Sequence, residues 1–273
     1  MNRRTDQISL NAFSLLELLV VVAVVALLAS LLLVGFSTAN RKAREVTCLS
    51  NLRQISIGIS LYQQQNGLRF PVRVSEKGSI GKPPDPRGNR DGWRFFDIAI
   101  GGVEPSNPSP QIPRAIERPL FPYLGASKAF SCPFDKGWDF RPDAEFVGPS
   151  AFVQNGCSYQ YNTTPSGTND PLGLEGIAGK TESWVPDSAR YILMYEPPAC
   201  EHQTRSSKPY LVFWHGPAPV GTLHWNGDLA TLKGKRLISA ILFVDGHAAV
   251  LDFTERAGMQ INTEEWLWFK PAQ

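Results

Sequence analysis

Cysteine is scarce in this chain of 273 residues. Only Cys48, Cys132, Cys157 and Cys200 occur, widely spaced and with no C-x-x-C pair, so the spacing of a zinc ribbon is absent. There is no H-E-x-x-H segment, which removes the compact helical zinc site of metalloproteases. There is no G-x-S-x-G nucleophile turn and no D-x-D-x-D-G calcium loop. Charge is nearly balanced at +2 without a long block of one sign, so nothing electrostatic argues for nucleic acid as a partner. With 23 Gly and 22 Pro, the chain falls below the level of a disordered polymer but suits a loop-rich domain.

What the sequence does have is one long apolar run. From Phe13 to Phe36, F-S-L-L-E-L-L-V-V-V-A-V-V-A-L-L-A-S-L-L-L-V-G-F, its 24 residues carry a single charge, Glu17. As a helix the run measures about 36 Å, enough to cross a hydrocarbon core of about 30 Å. A carboxylate inside a bilayer costs about 2.5–3.5 kcal/mol on insertion scales, so it calls for a partner. The bland alternative is that Glu17 lies close enough to the helix end to reach the headgroups. An ordinary secretory signal is the rival for the whole segment. Its apolar region should span only about 7–15 residues before a small-residue cut, here near Ala29, with a mature start near Ser30.

The helical pattern continues beyond Phe36 and turns amphipathic. Val46, Leu49, Leu52, Ile55, Ile59 and Tyr62 recur every three or four residues as one stripe. Asn66-Gly67 and then Pro71 stop the helix. Phe13 to Gln65 would be 53 residues. Downstream, residues 68–113 read as Gly-, Pro- and Arg-rich loop, with W-R-F-F-D-I-A-I at 93–100 the one ordered candidate. Short helical turns around 112–125 are expected to break at Pro119 and Pro122.

The carboxyl third reads as an antiparallel sheet. S-Y-Q-Y-N at 158–162, R-Y-I-L-M-Y at 190–195 and Y-L-V-F-W at 210–214 are strand-like. Residues 238–244 and 247–253 flank Asp245-Gly246, which predicts a two-residue type I′ hairpin. Asn262 or Thr263 is expected to cap a last short helix, E-E-W-L-W-F.

Chemistry-bearing residues are few. His202, His215, His224 and His247 all lie in the last third, with Asp228 and Asp245 nearby. Three His and a carboxylate suffice for zinc, but the spacings are irregular, so the reading expects no metal, no cofactor and no enzyme. Cys200 and His202 are neighbours without a further catalytic partner. The seven tryptophans, Trp93, Trp138, Trp184, Trp214, Trp225, Trp266 and Trp268, are read as core filling, with a binding face as the alternative. If the domain is exported, four cysteines allow two disulfides in three connectivities; free buried thiols are the alternative.

The segment F-S-L-L-E-L-L-V-V behind a short leader with Arg3 and Arg4 closely resembles the amino terminus of type IV prepilins and type II secretion pseudopilins. The resemblance implies cleavage between Ala12 and Phe13, N-methylation of Phe13, and an assembly role for Glu17 in pairing with a free amine. Ala12 departs from the Gly usual before the cut. C-L-S-N-L-R-Q-I, P-Y-L, F-S-C-P, S-Y-Q-Y-N and F-V-D-G-H extend the likeness to a group of large pilin-like proteins. In that group Cys48 and Cys132 would be paired, which leaves Cys157 with Cys200. Its members often carry a His about ten residues before the Asp-Gly, whereas His224 precedes Asp245 by 21 positions.

The implied fold is α+β and pilin-like: a long amino-terminal transmembrane helix packed on a carboxyl-terminal antiparallel sheet with extensive loops. The implied organisation is a leader at 1–12, a membrane or filament-core helix at 13–36, its amphipathic continuation at 37–66 and a periplasmic domain at 67–273. The implied location is the inner membrane, single-pass. The implied partners are a prepilin peptidase/methyltransferase, other pilin or pseudopilin subunits, an inner-membrane assembly platform and membrane lipid. A membrane-anchored binding protein or metal-dependent enzyme that never polymerises is the other class. Convergence of His224, Asp245 and His247 would mark it.

Overall fold

The computed structural model describes residues 14–72, 100–106, 114–137, 150–162, 176–202, 210–212, 214–215, 222–224, 234–256, 262–268 and 270, with 31–35, 200–202, 210–212, 222–224 and 256 described in backbone only. The chain divides into two compact units, residues 1–43 and 44–273.

Helix α1 runs from Leu15 to Gln65, 51 residues, through both units. Its amino terminus is capped by Ser14 and Glu17. The Leu16 N–H donates to Ser14 Oγ at 3.3 Å, and the Ser14 N–H donates to Glu17 Oε2 at 2.9 Å. Within the first unit Leu15, Leu16, Leu18, Leu19, Val20–Val22, Val24, Val25, Leu27 and Leu28 are all exposed. Among the described residues no helix is long and apolar enough to cross a membrane. The stretch of α1 with described side chains from Leu15 to Ser30 is about 24 Å long, short of a core of about 30 Å. The apolar run of the sequence continues through positions 31–35, whose side chains lie outside the described set.

In the second unit α1 becomes one-sided. Glu45, Cys48, Leu52, Ile55 and Ile59 are buried, whereas Val46 is 64% exposed. The buried row is spaced 3, 4, 3, 4, so Val46, expected in the stripe, falls a step off its centre. The helix ends at Gln65, where Asn66-Gly67 predicts it. Gly67 takes φ 63° and Leu68 φ 60°, which turns the Leu68 N–H back to the Gln63 carbonyl at 2.8 Å.

The buried row faces an antiparallel sheet of order β1-β2-β5-β6, made of Gln160–Tyr161, Ile192–Tyr195, Ile238–Phe243 and Ala248–Asp252. A separate two-stranded ribbon pairs β3 (Tyr210–Val212) with β4 (Thr222–His224). The four-stranded sheet is covered on both faces. Leu193, Met194, Ala240 and Leu242 belong to the core that includes Leu52, Ile55 and Ile59. Ile192, Tyr195, Ile241 and Phe243 belong to a second core with Phe253, Trp266 and Trp268. Double coverage explains why every residue of β5 is buried. The β2–β5 register slips between Ile192 and Met194, and Leu193 and Met194 consequently share one core.

Several local expectations are corrected here. The β5–β6 connection is not a type I′ turn, because among the described residues Leu68 is the only non-glycine with positive φ. Instead the Gly246 N–H bonds the Phe243 carbonyl at 3.0 Å, and Gly246 sits at φ 88°. This is the three-residue loop with a left-handed glycine. Pro122 does not break its helical turn but lies in the first turn of α2 (Phe121–Leu124), where its missing N–H costs nothing. The described residues that follow Thr263 form no helix. Thr263 Oγ accepts the Glu265 and Trp266 N–H groups at 3.1 and 3.0 Å, but the chain then extends so that Leu267 bridges Tyr191. Burying Trp266 and Trp268 in one core requires the two-residue repeat of an extended chain. Positions 93–99 lie outside the described residues. The fold is α+β, a helix against an antiparallel sheet.

Candidate functional site

Four side chains from four separate parts of the second unit meet in its interior. Cys48 comes from the buried row of α1. Cys132 follows the short turn Lys128–Phe130. Glu196 follows β2 directly, and His215 lies three residues beyond the end of β3. Their ligand atoms all lie within 4.8 Å of one another. Cys48, Glu196 and His215 are fully buried and Cys132 is 3% exposed. The two sulfurs are 2.7 Å apart, Cys132 Sγ is 3.7 Å from His215 Nε2, and that nitrogen is 2.6 Å from Glu196 Oε2.

Each member is fixed by its surroundings. The Cys132 segment is tied to α1 by Asn51 Nδ2, which donates to the Ser131 carbonyl at 2.7 Å. The Cys132 N–H donates to Ser158 Oγ at 3.0 Å, and the Phe134 N–H donates to Cys132 Sγ at 3.3 Å. Behind this, Asp135 gathers four donors: the N–H groups of Gly137, Ala151 and Phe152 at 2.8–2.9 Å and the Ser158 hydroxyl at 2.6 Å. Burial pushes the Asp135 carboxyl above its usual range, against the pull of these bonds. Glu196 Oε2 accepts the Ala240 N–H of β5 at 2.8 Å. The His215 ring lies on Phe134, with centroids 4.2 Å apart. Its neighbour Trp214 donates from Nε1 to the Gly137 carbonyl at 3.1 Å.

The electrostatics are those of buried surroundings. Burial first, then the Cys48 sulfur and the Glu196 carboxylate, push the Cys132 thiol well above its ordinary value. Glu196 Oε1 and His215 Nδ1 are buried without a hydrogen-bond partner, at a cost of about 1–3 kcal/mol for each such group. Two thiols, an imidazole and a carboxylate form a soft-to-borderline donor set of the kind zinc prefers. The two thiols alone are a dithiol.

The residues singled out in the sequence are distributed otherwise. Ala12 and Phe13 lie outside the described residues, so the cleavage position has no structural account. Glu17 is exposed and accepts the Ser14 N–H at the start of α1. Cys48 and Cys132, expected as a pair, are adjacent and are free thiols in this structure. Cys157 is also a free, buried thiol; it donates to the Tyr159 carbonyl at 2.9 Å, and burial raises it to about 12. The side chains of Cys200 and His202 lie outside the described set, as does Asp228. Of the trio His224, Asp245 and His247, only Asp245 and His247 have described side chains. His247 Nδ1 meets Asp245 Oδ1 at 2.6 Å on the exposed hairpin. The backbone of His224 pairs with Tyr210, and its side chain is not described. Trp214, Trp266 and Trp268 are core residues, and Trp184 is half-buried with Lys180 and Lys270 over its ring at 5.1 and 5.2 Å. Trp93, Trp138 and Trp225 lie outside the described residues.

Glu196 is the functional candidate that the sequence did not suggest. Its one legible signal is position: a carboxylate between an apolar strand and Pro197-Pro198. The cap at Ser14–Glu17 was missed as well, although the S-L-L-E spacing signals it. In searches of protein families, curated proteins and solved structures, nothing matches this chain.

Proposed function

We propose that the chain is a structural subunit of a type IV pilus or type II secretion pseudopilus, processed between Ala12 and Phe13 and assembled through the first part of α1. The observation that carries this reading is the row of exposed apolar side chains from Leu15 to Leu28. A contiguous apolar surface of this kind is stable in water only when covered by lipid or by other protein. Before assembly the cover is the inner membrane, with the second unit in the periplasm. In a filament it is the same helix of neighbouring subunits, and the small residues Ala23, Ala26, Ala29 and Ser30 allow close approach. A prepilin peptidase/methyltransferase and an inner-membrane assembly platform are the remaining partners. The protein is a building block, not an enzyme.

Glu17 supplies register. Its carboxylate already serves the amino end of α1 by accepting the Ser14 N–H. Cleavage before Phe13 would release an amine, the positive charge that this carboxylate lacks. A subunit out of axial register would leave a charge unpaired in an apolar bundle.

Amino-terminal sequencing with intact mass on the protein purified from its native membrane tests this. The expected result is a start at Phe13 with one added methyl group. A start at Met1, or beyond Ala29, rejects it. Glu17→Ala is expected to leave membrane insertion intact and to lower incorporation into filaments about tenfold or more, the equivalent of about 1.4 kcal/mol.

A further inference from the structure

We propose that Cys48, Cys132, Glu196 and His215 form a structural binding site for a single zinc ion that clamps α1 to the sheet within the second unit. This departs from the expectation of no metal, and it stands independently of whether the chain polymerises.

Three features point beyond a simple dithiol. First, all four donors are buried and come from four segments separated by 84, 64 and 19 residues, counted from their positions 48, 132, 196 and 215. A disulfide would account for two of them and leave the paired Glu196 and His215 with Glu196 Oε1 and His215 Nδ1 still unsatisfied. Second, Glu196 Oε1 is buried without a partner beside the cluster, an acceptor that a cation would satisfy. Third, the Phe134 N–H donates to Cys132 Sγ, a bond that strengthens when the sulfur carries charge, as a metal-bound thiolate does.

The donor set fits the ion. Zinc takes thiolate sulfur at about 2.3 Å and imidazole nitrogen or carboxylate oxygen at about 2.0–2.2 Å, in a tetrahedron. Two sulfurs on one such ion stand about 3.8 Å apart. From the present 2.7 Å they open by about 1 Å, and the ion would take His215 Nε2 and the orphaned Glu196 Oε1, leaving Oε2 to the Ala240 N–H. Two thiols lose their protons on binding, and the ion replaces those protons as the positive charge in the cluster. Four protein donors leave no position for substrate, so the site is structural, not catalytic.

The test uses the full-length chain in detergent. Metal content is measured on the protein as isolated. The chain is then reduced, stripped with a chelator and titrated with cobalt(II) and with zinc. The expected results are one zinc per chain on isolation, four unoxidised cysteines by alkylation mass, and a cobalt spectrum with thiolate charge-transfer and intense tetrahedral visible bands. Cys132→Ser should lower the charge-transfer intensity by about half or more, and Glu196→Gln should weaken cobalt affinity at least tenfold. Because these variants risk misfolding, the unmodified chain carries a second readout: its Tm should rise on adding zinc and stay unchanged with magnesium. A mapped Cys48–Cys132 disulfide in the isolated protein overturns the proposal. So does a stripped, reduced chain that neither takes up cobalt nor gains thermal stability with zinc.

Discussion

Helix α1 is built to two plans. From Leu15 to Leu28 nearly every side chain is apolar and exposed, with no preferred face. From Glu45 to Ile59 the buried positions form one row, and Arg44, Arg53, Gln54 and Ile57 point outward. The first plan suits surroundings that are apolar on every side, and the second suits a single packed partner. The difference teaches that apolar content alone does not say what a helix packs against; the periodicity does.

The sharpest way to break this comparison is to truncate a leucine in each region. Leu52 is fully buried, and Leu52→Ala should cost about 2–5 kcal/mol of stability in the second unit. Leu19 is 62% exposed, and Leu19→Ala should leave unfolding of the second unit within about 0.5 kcal/mol of the parent. Denaturant unfolding followed by fluorescence of the buried Trp214, Trp266 and Trp268 reads both. Equal losses would mean that α1 behaves as one element after all.

The same contrast made some features readable and hid others. The helix end at Gln65 was legible because Asn66-Gly67 acts locally through a left-handed turn. The strands at 192–195 and 238–243 were legible because buried strands need continuous apolar runs. The stripe was read a step off because Val46 is apolar and Glu45 is not, yet it is Glu45 that is buried. The type I′ turn was misjudged because Asp-Gly also serves a three-residue loop in which only the glycine needs positive φ. The cluster of Cys48, Cys132, Glu196 and His215 was not legible. No spacing rule links residues that meet only after helix, loop and sheet have packed, whereas Asp245 and His247 stand two apart in the sequence.

Two carboxylates extend the comparison. Glu17 and Asp135 both accept N–H groups at the start of a helix, Glu17 on the exposed end of α1 and Asp135 at α3 (Ala151–Asn155). Asp135→Ala strands the Ser158 hydroxyl and three N–H groups, with an expected loss of about 1–3 kcal/mol. Asp135 also leaves a pH signature. Burial raises its folded pKa above the unfolded value, so the native state holds the proton more tightly. Its contribution to stability therefore falls as pH rises from about 4 through the raised folded value. Asp135→Asn should remove that fall, as read by denaturation midpoints across the acid range. Parallel curves for the two proteins would place the slope elsewhere.

Ser14 tests the exposed end of α1. Ser14→Ala removes the acceptor for the Leu16 N–H and should cost about 1 kcal/mol of local helix stability. The effect should appear as faster amide exchange in the first turn, with no change in unfolding of the second unit.

The smallest expected effect lies at Gly58, and there two forces of similar size oppose each other. At an exposed helical position Gly→Ala stabilises by about 1 kcal/mol, through lower backbone entropy in the unfolded chain. At Gly58 a Cβ would sit 2.5 Å from Leu124 Cδ1 and 2.7 Å from its Cγ, well inside contact distance. The far end of Leu124 can swing away, but its Cγ moves only with the rest of the side chain and with α2. Overpacking of this kind costs about 1–3 kcal/mol. Gly58→Ala should therefore be net destabilising by about 1 kcal/mol, although the same change would help elsewhere on α1. Adding Leu124→Ala should reverse the sign of the glycine substitution, because space replaces the clash and the helix preference is then left unopposed. If Gly58→Ala stabilises in both backgrounds, α1 does not approach α2 this closely in solution.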